Sequence, residues 1–529
     1  MTRSKLFLAT LLMSISALAS AAVKIVPEPL EIKELSGKVT LPSEITVSAL
    51  ENDNMVDTYI GLSSKILKNN GITLTKGGRN SVVRLEVSDK INDRGAYMIN
   101  VGKRHIDITA ADKDALWCGL QTLTQILMQD IDSQMIVRDA PRFGYRGAML
   151  DCGRHFFPVE DVKAFIDMMA VHKLNRFHWH LTEDQGWRIE IKKYPLLTKI
   201  GSVRDSSYMT NYSGEQHDIM VHEPYGGFYT QDEIRDVVKY AQDRHIVVIP
   251  EIEIPGHSVA ALASYPWLGC TDGPYDVRVE WGISQDVMCI GKETTWEFCR
   301  NVLEEVCDLF PGDMIHIGGD EAPRSRWAEC PHCQSLMKRE GITKEAQLQS
   351  WITSKIEEYL ATKGKHIIGW DEVLEGGVSK QCVVMSWLNG SKGGQKAAAL
   401  GNDVIMTDKF HCYFDCYQTE SRKGELTAHR RSIPLEKVWS YNPLNGIDEN
   451  ATSHVLGVQC NTWTEHISAM DRVYFMNLPR MAALAEVAWS APESLSRYQD
   501  FLSRLTGAMI PLYTSAGWPF AKYYEEDLK

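Results

Sequence analysis

The sequence predicts an α/β protein: a (β/α)8 TIM barrel preceded by a smaller α+β domain. Three observations carry that prediction. From Arg146 onward, short apolar runs alternate with stretches of helical spacing. Eight such runs follow one another, enough to close a parallel barrel. Nearly every run ends in an acid, an arginine, a histidine or an indole, at the edge where barrels of this type carry their functional loops.

The chain begins with Arg3 and Lys5, an apolar run from Leu6 to about Ala19, and the small residues Ala19-Ser20-Ala21. That is the pattern of a secretory signal peptide over residues 1–21, so the expectation is an exported protein, periplasmic or secreted. No Cys lies near the expected cut, so no lipid anchor is expected, and no later stretch is long and apolar enough to form a transmembrane segment. Residues 22–140 read as a non-catalytic N-terminal α+β domain. Val82–Ser88 and Tyr97–Thr109 alternate as half-buried strands do, and Leu116, Leu120, Leu123 and Leu127 form one helical stripe. Asp139-Ala-Pro-Arg142 marks the boundary, and residues 141–529 are read as the barrel.

The predicted barrel strands are Gly147–Asp151, Arg176–Leu181, Ile246–Ile254, Met314–Gly318, His366–Trp370, Cys382–Trp387, Asp403–Thr407 and Val455–Asn461. Helices are predicted between them over Val159–Leu174, Asp232–Arg244, Thr294–Leu309, Ala346–Lys363 and Ser391–Leu400, with closing helices over Tyr474–Trp489 and Ser494–Tyr513. Long loops are expected after the third and seventh strands.

A net charge of -13 argues against a nucleic-acid or anionic-membrane partner. Fourteen Trp and twenty Tyr supply flat rings that suit sugar faces, although most aromatics simply pack cores. Twelve Cys in an exported chain permit disulfides. Cys330-Pro-His-Cys333 has the look of half a zinc site, but no second Cys-x-x-C follows, so a local disulfide or free thiols are expected there, and no metal and no cofactor. Cys412 and Cys416 are similarly close.

The centre of the sequence is Met314-Ile-His-Ile-Gly-Gly-Asp-Glu-Ala-Pro323. Neighbouring residues on a regular strand face opposite sides. Gly318 and Gly319 permit an irregular backbone, which would let Asp320 and Glu321 converge on one ligand. At the other strand ends stand Asp151 and Arg154, then Glu183 and Asp184, then Glu251, Glu253 and His257. Trp370, Asp371 and Glu372 follow, then Trp387, then Tyr413 and Asp415, and finally Trp463 and Glu465. Such a cavity suits glycoside cleavage, which needs an acid for the leaving oxygen and a group to stabilise a cationic anomeric carbon. Crowded carboxylates raise one another's pKa and keep one protonated near neutral pH. With one Arg and no Gly-rich loop at the strand ends, the cluster fits carbohydrate better than phosphate.

Five stretches resemble glycoside hydrolase family 20, the β-N-acetylhexosaminidases. They are Arg146-Gly-Ala-Met-Leu-Asp-Cys-Gly-Arg154-His-Phe, Lys173-Leu-Asn-Arg-Phe-His-Trp-His-Leu-Thr-Glu-Asp-Gln-Gly-Trp-Arg188, Pro250-Glu-Ile-Glu-Ile-Pro-Gly-His257, His316-Ile-Gly-Gly-Asp-Glu321 and Gly457-Val-Gln-Cys-Asn-Thr-Trp-Thr-Glu465. The resemblance implies an exo-acting, retaining glycosidase that removes terminal β-linked GlcNAc or GalNAc from a glycan. In this family the substrate's own 2-acetamido group attacks, through an oxazolinium intermediate. Glu321 would be the general acid and then base, and Asp320 would hold the acetamide. Trp370, Trp387 and Trp463 would wall the pocket, with Tyr413 donating to the acetamide oxygen beside Asp415. Arg154 and Glu465 would bind hydroxyls of the terminal sugar, and Glu183 and His257 would form a supporting relay. The family commonly has Asp where this chain has Glu183, which leaves Asp184 as an alternative.

One competing reading stands beside this. His178-Trp-His180 is how metal-dependent barrel hydrolases begin a zinc site. No other His except His257 stands at a strand end to complete it, so buried, hydrogen-bonded histidines are expected. Glu251 and Glu253 either reach the barrel mouth or form a structural ion pair, and Asp371 and Glu372 either face the cavity or cap a helix.

Overall fold

The structure is a computed structural model that describes residues 23–208 and 219–528, without residues 49, 51, 52 and 92. The signal peptide expected over residues 1–21 lies outside the described residues.

The N-terminal part forms a seven-stranded sheet. Its order is Glu31–Lys38, Ser133–Asp139, Tyr97–Val101, Ile106–Ala110, Val83–Val87, Glu44–Ser48, Thr73–Gly77. The alternation read in the sequence appears as Tyr97, Ile99 and Val101 buried, with Met98 and Asn100 partly open. Helix Lys113–Leu127 covers one face. Its N-terminus is capped by Asp112, whose carboxylate accepts from the Ala115 N–H, and its leucine stripe is enclosed. Helix Met55–Lys68 packs on Ile510–Ala516 of the barrel's closing helices. At the junction, buried Asp139 accepts from Lys173 Nζ at 3.1 Å and from Trp489 Nε1 at 2.9 Å. Both carboxylate oxygens are therefore satisfied, the condition under which a buried charge is tolerated.

The barrel is closed and parallel throughout. Its strands are β1 (Tyr145–Asp151), β2 (Arg176–His180), β3 (Val247–Glu251), β4 (Met314–His316), β5 (His366–Trp370), β6 (Val383–Ser386), β7 (Val404–Met406) and β8 (Val455–Thr462). β8 pairs with β1 from Gly457↔Tyr145 to Thr462↔Leu150, which seals the ring. β4 stops two residues earlier than predicted because Gly318 and Gly319 both take positive φ, +66° and +92°, off the strand conformation.

Two helix predictions need correction. The stretch Tyr474–Trp489 is two helices, Met470–Asn477 and Arg480–Trp489, because Pro479 has no N–H to continue the first. The stretch Ser494–Tyr513 divides into Tyr498–Arg504 and Ile510–Ala516, joined by a π-helical turn over Leu505–Met509 just before Pro511. The loops after β3 and β7 are long, as expected. A third long connection, after β2, is held by two buried arginines. Arg188 donates to the carbonyls of Cys152, Gly153 and Ser202, and Arg204 to those of Arg154 and Gln185. Among the described residues, no helix is long and apolar enough to cross a membrane.

Candidate active site

The turn after β4 sets the site. Gly318 and Gly319 are followed by Glu321, whose φ is +46°, a left-handed value that a residue with a Cβ adopts only under constraint. The constraint is visible. The Trp370 N–H donates to the Gly318 carbonyl at 3.0 Å, and Gln349 Nε2 donates to the Gly319 carbonyl. The turn swings both carboxylates to one imidazole: His257 Nε2 lies 3.6 Å from Asp320 Oδ2 and 3.5 Å from Glu321 Oε2. A Cβ on Gly318 would sit 1.7 Å from Glu253 Oε2, at a φ that L-residues avoid. Gly318→Ala is therefore expected to destabilise the fold by at least about 1–3 kcal/mol and to displace Asp320, read as a lower Tm together with lost turnover.

His257 is the electrostatic hub, and its own φ is +45°. Burial opposes its ionisation, yet the charges of Glu183 and Asp320 outweigh burial and hold the imidazolium well above the usual histidine range. Burial pushes Asp320 up to about 6, with Glu251 and Glu321 adding and His257 opposing. Burial also acts on Glu321, but its hydrogen bond to His257 and that residue's charge outweigh it, so Glu321 sits below the usual glutamate range. The neighbouring acids thus do split, with Asp320 as the one held up.

Four aromatic rings close the floor. Trp370 lies 5.9 Å from Trp463 and 6.5 Å from Trp387, and Tyr413 lies 6.0 Å from Trp387 and 6.2 Å from Trp463. They border a cavity of about 460 Å³, within the range of small-ligand sites. Arg154, His257, Asp320, Glu321, Trp370, Trp387, Tyr413, Asp415, Trp463 and Glu465 all line it. Arg154 stacks on Trp463 at 4.8 Å from the ring centre. Burial and the Glu465 charge push Asp415 up to about 8, and burial with Asp415 beside it keeps the Tyr413 phenol well above its usual range.

Glu183 does not line the cavity. It stands behind the wall, with Oε1 2.6 Å from His257 Nδ1 and Oε2 2.9 Å from Arg154 Nη2. Asp184 is the more distant acid, 3.9 Å from His257 Nδ1, and its carboxylate accepts from the Val259 N–H and Arg278 instead. Glu251 is fully enclosed between His178 and His316, 2.8 Å from each, and accepts from Trp370 Nε1 at 2.8 Å. Asp371 accepts from Ser386 Oγ and the Leu388 N–H, and Glu372 from Trp387 Nε1, so this pair braces the end of β6. His178 and His180 have no exposed surface and lie outside the cavity lining, so a metal held there would meet no substrate.

Several lining residues carry no sequence signal. Trp281, Gly282 and Ile283 come from the loop after β3, and Lys409, His429, Arg430 and Arg431 from the loop after β7. Lys409 Nζ lies 4.7 Å above the Trp387 ring, so the mouth is more basic than a chain of net charge -13 suggests. Charged loop residues have no periodicity by which to find them.

Comparisons with known proteins identify the family. The model of glycosyl hydrolase family 20, catalytic domain, matches residues 143–492, and that of domain 2 of the same family matches residues 22–140. A β-hexosaminidase of Porphyromonas gingivalis is 40% identical over 513 residues; the match covers 93% of this chain, which spans 63% of that relative's length. A β-hexosaminidase of Vibrio furnissii is 37% identical, covering 89% of this chain and 77% of the relative. The crystal structure of an exo-β-N-acetylglucosaminidase from Vibrio harveyi, in complex with N-acetylglucosamine, superposes with a TM-score of 0.81. It is 32% identical, and the match covers 95% of this chain and 80% of that one. This chain belongs to glycosyl hydrolase family 20.

Proposed function

We propose that the protein is an exo-acting, retaining β-N-acetylhexosaminidase that removes a terminal β-linked GlcNAc or GalNAc, with the sugar's own acetamide as nucleophile. The observation that carries this reading is the pairing of Asp320 and Glu321 at one imidazole beside a floor of indoles. The aromatic walls beside the two acids suit a methyl and an amide plane. The acetamide oxygen attacks the anomeric carbon as Glu321 delivers a proton to the leaving oxygen. Asp320 holds the amide N–H and stabilises the charge that develops on nitrogen. Tyr413 remains a phenol and donates to the acetamide oxygen. Glu321 then takes a proton from the water that opens the oxazolinium. Glu321 is ionised in the free protein, so its first proton comes from the His257 imidazolium 3.5 Å away, once glycan covers the carboxylate and raises its pKa.

Arg154 and Glu465 hold hydroxyls of the terminal sugar by charge-assisted bonds, which makes the enzyme exo-acting. The leader pattern at Arg3 to Ala21 supports export to the periplasm or beyond. Turnover of aryl β-GlcNAc and aryl β-GalNAc beside aryl β-glucose, each with and without chelator, tests the reading. Both N-acetylated substrates should be cleaved and the glucoside left intact, with no change on brief chelation. Equal cleavage of the glucoside would overturn it.

The pH profile follows from the same groups. Asp320 must be ionised to hold the amide, so kcat/KM should fall as pH drops through about 6, where Asp320 takes a proton. The alkaline limb reports loss of the His257 proton. Glu183→Gln removes the largest charge that holds that proton, so the alkaline limb should move to lower pH, and the acid limb should move less, because Glu183 is the smallest of the causes that raise Asp320. A profile unmoved by Glu183→Gln would remove His257 from the proton route.

A further inference from the structure

The chain has twelve cysteines and none is in a disulfide. Four of them, from two different loops, meet under the active-site wall. The sulfurs of Cys270, Cys289, Cys330 and Cys333 all lie within 4.8 Å of one another. Cys289 Sγ is 3.5 Å from Cys330 Sγ and 3.7 Å from Cys333 Sγ. A disulfide requires about 2.05 Å between sulfurs. Four thiolates each about 2.3 Å from a central zinc stand about 3.8 Å apart along the edges of a tetrahedron. The observed spacing is that of ligands around a shared centre.

The surrounding backbone holds this arrangement. Cys330 precedes helix Pro331–Glu340 and Cys333 lies in its first turn, at the positive end of the helix, where thiolate charge is favoured. Cys289 is fixed by its N–H, which donates to the Leu268 carbonyl at 2.7 Å, while the Met288 N–H donates to Pro255 at 3.0 Å. Gly291 lets the two loops touch: a Cβ there would lie 2.1 Å from the His332 carbonyl carbon and 2.3 Å from the Cys333 nitrogen. Lys292 places a cation in the same region, with Nζ donating to the Gly269 carbonyl at 2.8 Å.

We propose that Cys270, Cys289, Cys330 and Cys333 bind a structural zinc ion that clips the loop after β3 to the loop after β4. All four positions are filled by protein sulfur, so the ion has no open site and performs no chemistry on substrate. Its effect is on the wall of the cavity. The segment between Cys270 and Cys289 carries Trp281, Gly282 and Ile283 into the lining, and the loop that reaches Cys330 begins with Asp320 and Glu321. The spacing reading missed the site because the partners of Cys330-x-x-Cys333 lie upstream and far apart in sequence, with no Cys-x-x-C of their own. The structure shows these four as free thiols, one of the two states expected from the sequence, and the proposal adds an ion between them.

The test is the metal content of the full-length protein purified without added metal, with its thiols counted after denaturation in chelator. The expected result is about one zinc per chain, with all twelve thiols alkylated. The zinc should disappear in Cys330→Ser and Cys333→Ser and persist in Cys118→Ser and His178→Gln. Should the serine variants misfold, cobalt exchanged into the wild type gives the second readout, the intense visible bands of a tetrahedral thiolate site. Two disulfides among these four residues would overturn the proposal. So would alkylatable thiols without bound metal, or zinc that is lost with His178→Gln rather than with the cysteine variants.

Discussion

Glu321→Gln is expected to lower kcat/KM on an N-acetylglucosamine disaccharide by about 10²–10⁴-fold, the usual contribution of a positioned acid. The amide keeps the shape of the side chain and removes only the transferable proton. The Glu321 side chain is 34% exposed, so the exchange buries no new charge and should leave Tm nearly unchanged. A thiazoline mimic of the oxazolinium should still bind the variant, since Asp320 and the indole walls remain. The loss should shrink on an aryl glycoside whose leaving group departs without protonation. A variant of wild-type rate on the disaccharide would refute the acid assignment.

Asp320→Asn is expected to cost about 10²–10³-fold on N-acetylated substrates, as removal of a preorganised group facing developing charge does elsewhere. Its second effect runs the other way. Burial holds the Asp320 carboxyl near 6, above its value in an unfolded chain. The folded state therefore binds this proton more tightly, and the stability that the proton confers is lost as pH rises from about 4 through about 6, leaving the full cost of the buried charge above that. Asn carries no charge at any pH. The variant should melt at a higher temperature than the wild type at pH 7, and the advantage should shrink at pH 4.5. A variant that is both inactive and less stable at pH 7 would show that Asp320 supports the fold rather than opposing it.

The strand ladder was legible because most barrel strands are largely apolar runs that end in or just before a chemically distinct residue. β5, for example, has the predicted limits His366–Trp370. Convergence of Asp320 and Glu321 was legible through Gly318 and Gly319, whose positive φ the turn requires. What lay beyond the sequence was anything set by two distant loops. The choice of Glu183 over Asp184 as the partner of His257 depends on which carboxylate the β2 turn aims inward. The basic residues Lys409, Arg430 and Arg431 reach the mouth only because the β7 loop folds back over it. The breaks near Pro479 and Pro511 interrupt stretches whose apolar periodicity continues on both sides, and that periodicity alone reads as one continuous helix. The four-cysteine cluster needs the β3 and β4 loops to meet, which no local pattern encodes.

The central claim is that the sugar supplies its own nucleophile to a site built around Asp320 and Glu321. It is tested most directly by kcat/KM across aryl glycosides whose 2-acetamido group carries none, one, two or three fluorines. Each fluorine weakens the carbonyl oxygen as a nucleophile and leaves the rest of the sugar intact. The account predicts a steep fall with each added fluorine. A flat series would mean that a group of the protein or a water molecule attacks the anomeric carbon, and would contradict it.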